Sequence, residues 1–148
     1  MIRNILAVIA GYVALFLCMF VLFTGLYLVL GAGGAFRPGS YQPSALWIAL
    51  STPLAFVAAV VGGYVCASLS RGGRSPLALA VLLLVVGFLS AVVVLRGQDL
   101  YEVRTSEVSN MEAMMKAKQP AGVALTNPLI GAAGVLVGSR LRRKRATR

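Results

Sequence analysis

The chain has 148 residues, of which 59% are apolar and only 12% are charged. Soluble domains usually contain roughly 45–50% apolar and about 25% charged residues, so this composition indicates a membrane protein. The net charge of +10 is also typical of nucleic-acid-binding proteins. Here the basic residues stand in short segments beside apolar runs, without interleaved aromatic residues, and we therefore exclude nucleic acid as a partner.

Four segments without a charged residue predict four membrane-spanning helices. They are residues 4–36, 38–70, 75–95 and 119–139. Each is long enough, because about 20 mostly apolar residues cross the hydrocarbon core of a bilayer. We predict an all-α, polytopic membrane protein of four transmembrane helices that form one domain over residues 1–148. A short amphipathic helix is predicted in the loop between the third and fourth spans.

The first span is predicted at about residues 5–30. Its apolar region is longer than the apolar core of a signal peptide, which is about 7–15 residues, so we expect a helix that is retained. The loop that follows, 31–43, is rich in glycine and proline, and this composition predicts a turn.

The second span is predicted at about residues 45–69, with Ser44 as its N-cap. Tyr41 and Trp47 flank its start, which is typical of the aromatic belt at a membrane interface. Pro53 lies near the start of this helix and is expected to kink it.

The third span is predicted at about residues 76–95. Pro76 suits the first position of a helix, and Ser75 is the predicted cap before it. The outer loop, 96–120, follows this span and holds every acidic residue of the chain, namely Asp99, Glu102, Glu107 and Glu112.

The end of the outer loop predicts the amphipathic helix. Ser109 and Glu112 have the spacing of a capping box, in which each side chain satisfies a backbone donor near the other. Four residues at helical spacing follow: Met111, Met114, Met115 and Lys118. This helix could lie on the membrane surface or pack over the ends of the spans.

The fourth span is predicted at about residues 121–138, before a basic tail at 139–148. It contains Asn127 and Pro128, and the proline leaves the carbonyl of Ala124 without its usual donor. Asn127 is expected to bond to that carbonyl or to a neighbouring helix. The alternative is a break in the helix that lines a polar cavity.

The distribution of lysine and arginine predicts the orientation. Four spans place both chain ends on one side, with nine basic residues there and five on the other. Basic residues concentrate in cytoplasmic loops, so we expect both termini in the cytoplasm. The Gly- and Arg-rich composition favours a bacterial protein, so we expect the membrane to be the bacterial inner membrane. The nine are Arg3, Arg71, Arg74, Arg140, Arg142, Arg143, Lys144, Arg145 and Arg148, and the five are Arg37, Arg96, Arg104, Lys116 and Lys118.

Small residues predict how the spans pack, because helices approach closely in lipid only where side chains are small. The first, second and fourth spans have such series and are predicted to form the tight contacts, whereas the third is predicted to be the most exposed to lipid. The series are Ala7, Gly11, Ala14 and Cys18; Ser51, Ala55, Ala59, Gly63 and Ala67; and Asn127, Gly131, Gly134 and Gly138. The third span offers only Gly87 and Ala91.

The residues needed for enzyme chemistry are sparse. The chain has no histidine, which excludes histidine-based catalysis and histidine-ligated metals. Cys18 and Cys66 are predicted at different depths, so we expect no disulfide and no zinc site. Asp99 and Glu102 could pair on one helical turn, although a solvated loop is the more usual role of such residues. We predict no catalytic, cofactor-binding or metal-binding residues, and no enzyme activity.

The spans also lack ionisable side chains, which coupled transporters usually place within the bilayer. We therefore predict a non-catalytic accessory, assembly or membrane-organising component. The alternative is a small passive channel or uncoupled transporter that acts as a homo-oligomer. The predicted partners are the lipid bilayer, a membrane protein or a second copy. Anionic lipid would bind through Arg140, Arg142, Arg143, Lys144 and Arg145, although these residues could equally serve only as a topology anchor.

Overall fold

The computed structural model describes residues 2–70, 74–97 and 109–146. These residues form five α-helices and no β-strand: α1 (Ile2–Ala35), α2 (Ala45–Leu69), α3 (Ser75–Gly97), α4 (Asn110–Lys116) and α5 (Ala121–Ala146). All except α4 are long and apolar enough to cross a membrane. The predicted fold class, four spanning helices with a short helix between the third and fourth, is confirmed.

The four long helices run alternately up and down. Contacts between their ends define the two ends of the bundle. Arg3 of α1 meets Leu69 of α2 at the termini end, so named because the first and last described residues, Ile2 and Ala146, belong to helix ends on that side. Ser44 meets Gly34 at the opposite, loop end, where α4 also lies.

The predicted tight contacts among the first, second and fourth spans are present, but the prediction that the third span is the most exposed to lipid is wrong. Helix α2 lies between α1 and α5, and α1 and α5 do not approach each other among the described residues. Helix α3 packs along α5, because Gly87 of α3 leaves a notch for Pro128. Helix α1 is the most exposed span. Of the 18 residues that form its most apolar stretch, 11% are buried, compared with 17% in α3.

Helix α2 has two close-packed faces. A Cβ atom on Gly62 would lie 2.7 Å from the backbone oxygen of Gly11 in α1. One on Gly63 would lie 2.6 Å from the Cα atom of Val135 in α5. Neither site has room for a methyl group, so both contacts bring backbone against backbone.

The predicted small-residue series of α2 describes only the face toward α5. Ser51, Ala59 and Gly63 of that series are buried, whereas Ala55 and Ala67 are only half-buried. A second series of small, buried residues, one helical turn apart, lies beside it: Ala58, Gly62 and Cys66. This second face receives α1 through Gly11, whose missing side chain leaves room for Cys66 and Leu79.

The loop between α1 and α2 closes the structure at the loop end. Helix α1 extends beyond its predicted end at residue 30, to Ala35, across a break at Gly31, whose φ of 63° is a conformation that favours glycine. Ser44 is the N-cap of α2, as predicted, and accepts a hydrogen bond from the Trp47 amide at 2.9 Å. The backbone amide of Ser44 also donates to Ala35, which fixes the loop between α1 and α2.

The predicted cap of α3 is wrong. Ser75 is itself the first helical residue, and the amide of Ala78 donates to the carbonyl of Arg74, so Arg74 occupies the cap position. The side chain of Ser75 is buried, and its hydroxyl has no hydrogen-bond partner in the structure. Packing of the α3 start against the bundle thus overrides the capping preference of serine.

Candidate functional site

An aromatic cluster fills the loop end of the bundle. The ring centroid of Trp47 lies 5.9 Å from that of Phe23 and 6.4 Å from that of Tyr27, in edge-to-face arrangements. Phe36 joins the cluster through Tyr27 and Tyr41. Tyr41 and Trp47, predicted for an aromatic belt, therefore pack against other aromatic side chains, and Tyr41 is 4% exposed.

Helix α4 docks on Tyr41. The Tyr41 hydroxyl donates to Glu112 Oε1 at 3.1 Å, and the Lys118 amide donates to the Tyr41 carbonyl oxygen at 3.0 Å. The ammonium group of Lys116 lies 5.3 Å from the centroid of the Tyr41 ring. Of the two predicted positions for this helix, packing over the ends of the spans is therefore the observed one. We call Tyr41, Glu112, Lys116 and Lys118 the loop-end cap.

The charges of the loop-end cap stabilise each other. Glu112 and Lys116 form an ion pair at 3.2 Å, one helical turn apart. Hydrogen bonds from Lys116 and then Tyr41 lower the pKa of the Glu112 carboxyl. The hydrogen bond to Glu112 raises the pKa of Lys116, with a further contribution from the electrostatic interaction with Tyr41. Both groups are exposed enough for solvent to weaken the pair.

Only one of the two hydrogen bonds of the predicted capping box is formed. The Glu112 amide donates to the Ser109 hydroxyl at 3.2 Å, but the Glu112 carboxylate bonds to Tyr41 and Lys116. Met111 and Met115 are exposed, and the side chain of Met114 lies outside the described residues. So do Asp99, Glu102 and Glu107, and the predicted pairing of Asp99 with Glu102 therefore stays a prediction.

The termini end is a second candidate site, formed by basic residues. The Nε atom of Arg3 donates to the Leu69 carbonyl oxygen at 3.0 Å, and that of Arg142 donates to the Ser68 hydroxyl at 3.1 Å. Both bonds fall on the last turn of α2. Three further arginines at this end, Arg74, Arg140 and Arg143, have exposed side chains. The predicted lipid ligands Lys144 and Arg145 belong to α5, but their side chains are not described.

The middle of α5 packs against α3. The helix continues through Pro128, so the alternative of a broken helix is wrong. Pro128 is buried, and its Cγ atom would lie 2.6 Å from a Cβ atom placed on Gly87. Asn127 beside it is half-buried. In the sequence, this contact could have been suspected from two residues: Pro128 in the fourth predicted span, and Gly87, the only glycine in the third predicted span.

The described residues bring together no metal-type cluster. No three His, Cys, Asp or Glu side chains approach each other over residues 2–70, 74–97 and 109–146. Cys18 and Cys66 are both free thiols, as the predicted difference in depth requires. A shallow groove on the outward face of α3 has an entirely apolar lining, which suits acyl chains: Leu84, Val85, Phe88, Leu89 and Val92.

No protein-family model, curated protein or solved structure matches the chain. Its function is therefore argued from its own residues.

Proposed function

We propose that the chain is a non-catalytic component of a bacterial inner membrane, an accessory, assembly or membrane-organising subunit that binds another membrane protein. Both termini lie in the cytoplasm in this proposal. The positive-inside rule supports this orientation, since nine of the fourteen basic residues belong to the side of the termini.

The observation that carries the proposal is the close packing on both faces of α2. A Cβ atom on Gly134 would lie 2.6 Å from the Ala59 Cβ atom, and one on Gly138 would lie 2.9 Å from the Tyr64 nitrogen. With Gly62 on the neighbouring face, these glycines bring α1 and α5 directly against the α2 backbone. Such contacts favour a rigid scaffold, because they leave no space between these helices for a conduit within one bundle.

The outward surface of the bundle is open to association with another span. Large apolar side chains of α1 face outward along the helix; Phe16 is 60% exposed and Leu17 is 57% exposed. In lipid they can contact either acyl chains or a partner helix. The spans contain no charged residue that would give the protein a chemistry of its own within the bilayer.

Site-specific crosslinking in native membranes tests this proposal. A photoreactive residue at Phe16, which faces outward, is expected to give an adduct with a different membrane protein. The matched control is Ala7, which is fully buried and is expected to give no intermolecular adduct. Adducts only between copies of this chain would overturn the accessory role.

Ion flux into liposomes tests the alternative of a passive channel. We expect purified protein to leave the permeability of the vesicles unchanged for both cations and anions. Flux that depends on the protein would overturn the non-catalytic, non-conducting role. A reporter enzyme joined at Arg148 tests the orientation, since activity from the outer face would reverse the proposed topology.

A further inference from the structure

Two arginines from different helices converge on one turn of α2. Arg3 belongs to α1 and Arg142 to α5, and their partners, Leu69 and Ser68, are adjacent residues. Although α1 and α5 do not approach each other among the described residues, both arginines bond to the last turn of α2. We call Arg3 and Arg142 the arginine clamp.

The end of α2 does not neutralise the arginine clamp. The carbonyl groups at the C-terminus of a helix carry about half a negative charge in total. Each guanidinium brings one full positive charge. Two arginines on this turn therefore leave a clear excess of positive charge.

No acidic side chain among the described residues lies at this end. The four acidic residues fall between residues 99 and 112 of the sequence, after α3 and before α5. The described one, Glu112, is bonded to Tyr41 and Lys116 at the loop end. The arginine clamp is therefore open to an anion from outside the chain.

The arginine clamp has the donors that bind a phosphate group. The bonds of Arg3 and Arg142 to α2 both use the Nε atom. The two Nη atoms of each guanidinium carry four more N–H donors. Guanidinium forks match phosphate oxygens in geometry and charge. Arg3 is exposed and Arg142 is half-buried, so an anion can reach the pair from the surface.

We propose that Arg3 and Arg142 bind the phosphate of one anionic phospholipid headgroup across the end of α2. This site rests on the proposed function, which places the bundle in a membrane, and names the lipid class that the termini end recognises. The ends of spanning helices lie at the depth of the headgroups, where basic sites between helices take anionic lipids. Arg74 and Arg140, exposed nearby at the same end, add long-range attraction only.

Lipid binding to the purified full-length protein tests the arginine clamp. The probe is short-chain phosphatidylglycerol, titrated in detergent and followed by native mass spectrometry. The variants are Arg3→Gln with Arg142→Gln, and the control Arg74→Gln with Arg140→Gln, which removes the same charge from exposed positions. High salt separates the two effects, because near 1 M the Debye length falls to about 3 Å and diffuse attraction is screened.

In high salt we expect the control to bind phosphatidylglycerol within about twofold of the wild type. The clamp variant should bind at least about tenfold more weakly, because it loses charge-assisted hydrogen bonds. Equal weakening of both variants would overturn the clamp. Phosphatidylcholine should bind more weakly than phosphatidylglycerol, and displacement of the lipid by the same concentration of inorganic phosphate would overturn the assignment to lipid.

Arg3→Lys with Arg142→Lys guards against loss of folding. Lysine keeps the charge and a donor to the end of α2 but not the planar fork, so helical content should be preserved while affinity falls. If this lysine variant bound phosphatidylglycerol as tightly as the wild type, the guanidinium geometry of the arginine clamp would not matter and the proposal would be overturned. These measurements use no protein partner. Failure of lipid binding would therefore overturn the arginine clamp alone, whereas failure of crosslinking at Phe16 would overturn the accessory role.

Discussion

The two ends of the bundle are held together by different means. At the termini end, backbones of α1, α2 and α5 touch through glycines, and arginines close the last turn of α2. At the loop end, aromatic rings fill the space, and an acid–base pair fastens α4 over them. The first arrangement depends on missing side chains and the second on large ones. Enlarging a side chain should therefore destabilise the termini end, whereas truncating one should destabilise the loop end.

The largest effect is expected where backbones touch. Gly63→Ala places a methyl group against the backbone of Val135, which cannot move without displacing α5. Overpacking usually costs about 1–3 kcal/mol, and contact with backbone should bring the loss to at least about 3 kcal/mol. The free energy of unfolding in mixed micelles measures it.

The matched control for that substitution is Gly25→Ala. Gly25 lies within α1, and no atom stands within 4 Å of a Cβ atom placed there. Alanine should leave stability unchanged or raise it by up to about 1 kcal/mol. If both variants lost the same stability, the close approach of α2 and α5 would not be what holds them together.

A smaller loss is expected from the aromatic cluster. Trp47→Ala removes edge-to-face contacts with Phe23 and Tyr27, each worth about 0.5–1.5 kcal/mol. We expect a loss of about 1–3 kcal/mol in the same unfolding assay. Phe16→Ala removes an exposed ring and should change stability by less than about 0.5 kcal/mol. A larger loss for Phe16 would contradict the burial pattern of α1.

One substitution should stabilise the termini end. Ser75 has a buried hydroxyl without a partner, which costs about 1–3 kcal/mol. Ser75→Ala removes that hydroxyl and should raise the free energy of unfolding by about 1 kcal/mol. Ser139 is the control, since it is equally buried but donates to the Leu136 carbonyl at 2.8 Å. Ser139→Ala should therefore give no gain, and a gain in both would show that the missing partner is irrelevant.

The smallest effect is local and depends on pH. The pKa of Glu112 is lowered in the folded protein, so its contribution to the loop-end cap is complete above the ordinary glutamate pKa. It is lost as the pH falls through the lowered pKa. The pKa of Lys116 is raised, so its contribution is present below the ordinary lysine pKa and is lost only as the pH rises through the raised one. The cap should be strongest between these limits.

Amide hydrogen exchange at Lys118 reports this change, because that amide donates to Tyr41. Protection relative to the intrinsic rate should fall in acid in the wild type. Glu112→Gln should show the lower protection at neutral pH already, with little further change in acid. Wild-type protection that stayed constant from neutral pH into acid would mean that the Glu112 charge does not fasten α4.

The spans could be predicted because uncharged length alone identifies a helix that crosses a bilayer. Ser44 as an N-cap followed from its side chain and the apolar run behind it. Small residues correctly predicted the close contacts among the first, second and fourth spans. The packing of α3 along α5 could not be predicted, because an all-apolar helix has no polar face to show its rotation. Small residues mark possible contacts but not partners, so the α2 face with Gly62 and Cys66 was missed.

The site residues were predictable only in part. The spacing of Ser109 and Glu112 correctly predicted the bond that starts α4. The partner of Glu112 is Tyr41, 71 residues earlier in the chain, and no local pattern connects them. The same holds for Arg3 with Leu69 and Arg142 with Ser68, which depend on the helix lengths and crossing of three spans.

The contact of Pro128 with Gly87 bears on the order in which the helices assemble. Helices α1 and α2 are neighbours in sequence and can pair as soon as both have entered the bilayer. Helix α3 finds its main partner only in α5, which follows it in the chain, and α2 also keeps one close-packing face for α5. Until α5 is inserted, two glycine surfaces stay open to lipid and to insertion factors. Assembly of the bundle is thus completed by a helix that leaves the ribosome after the other three.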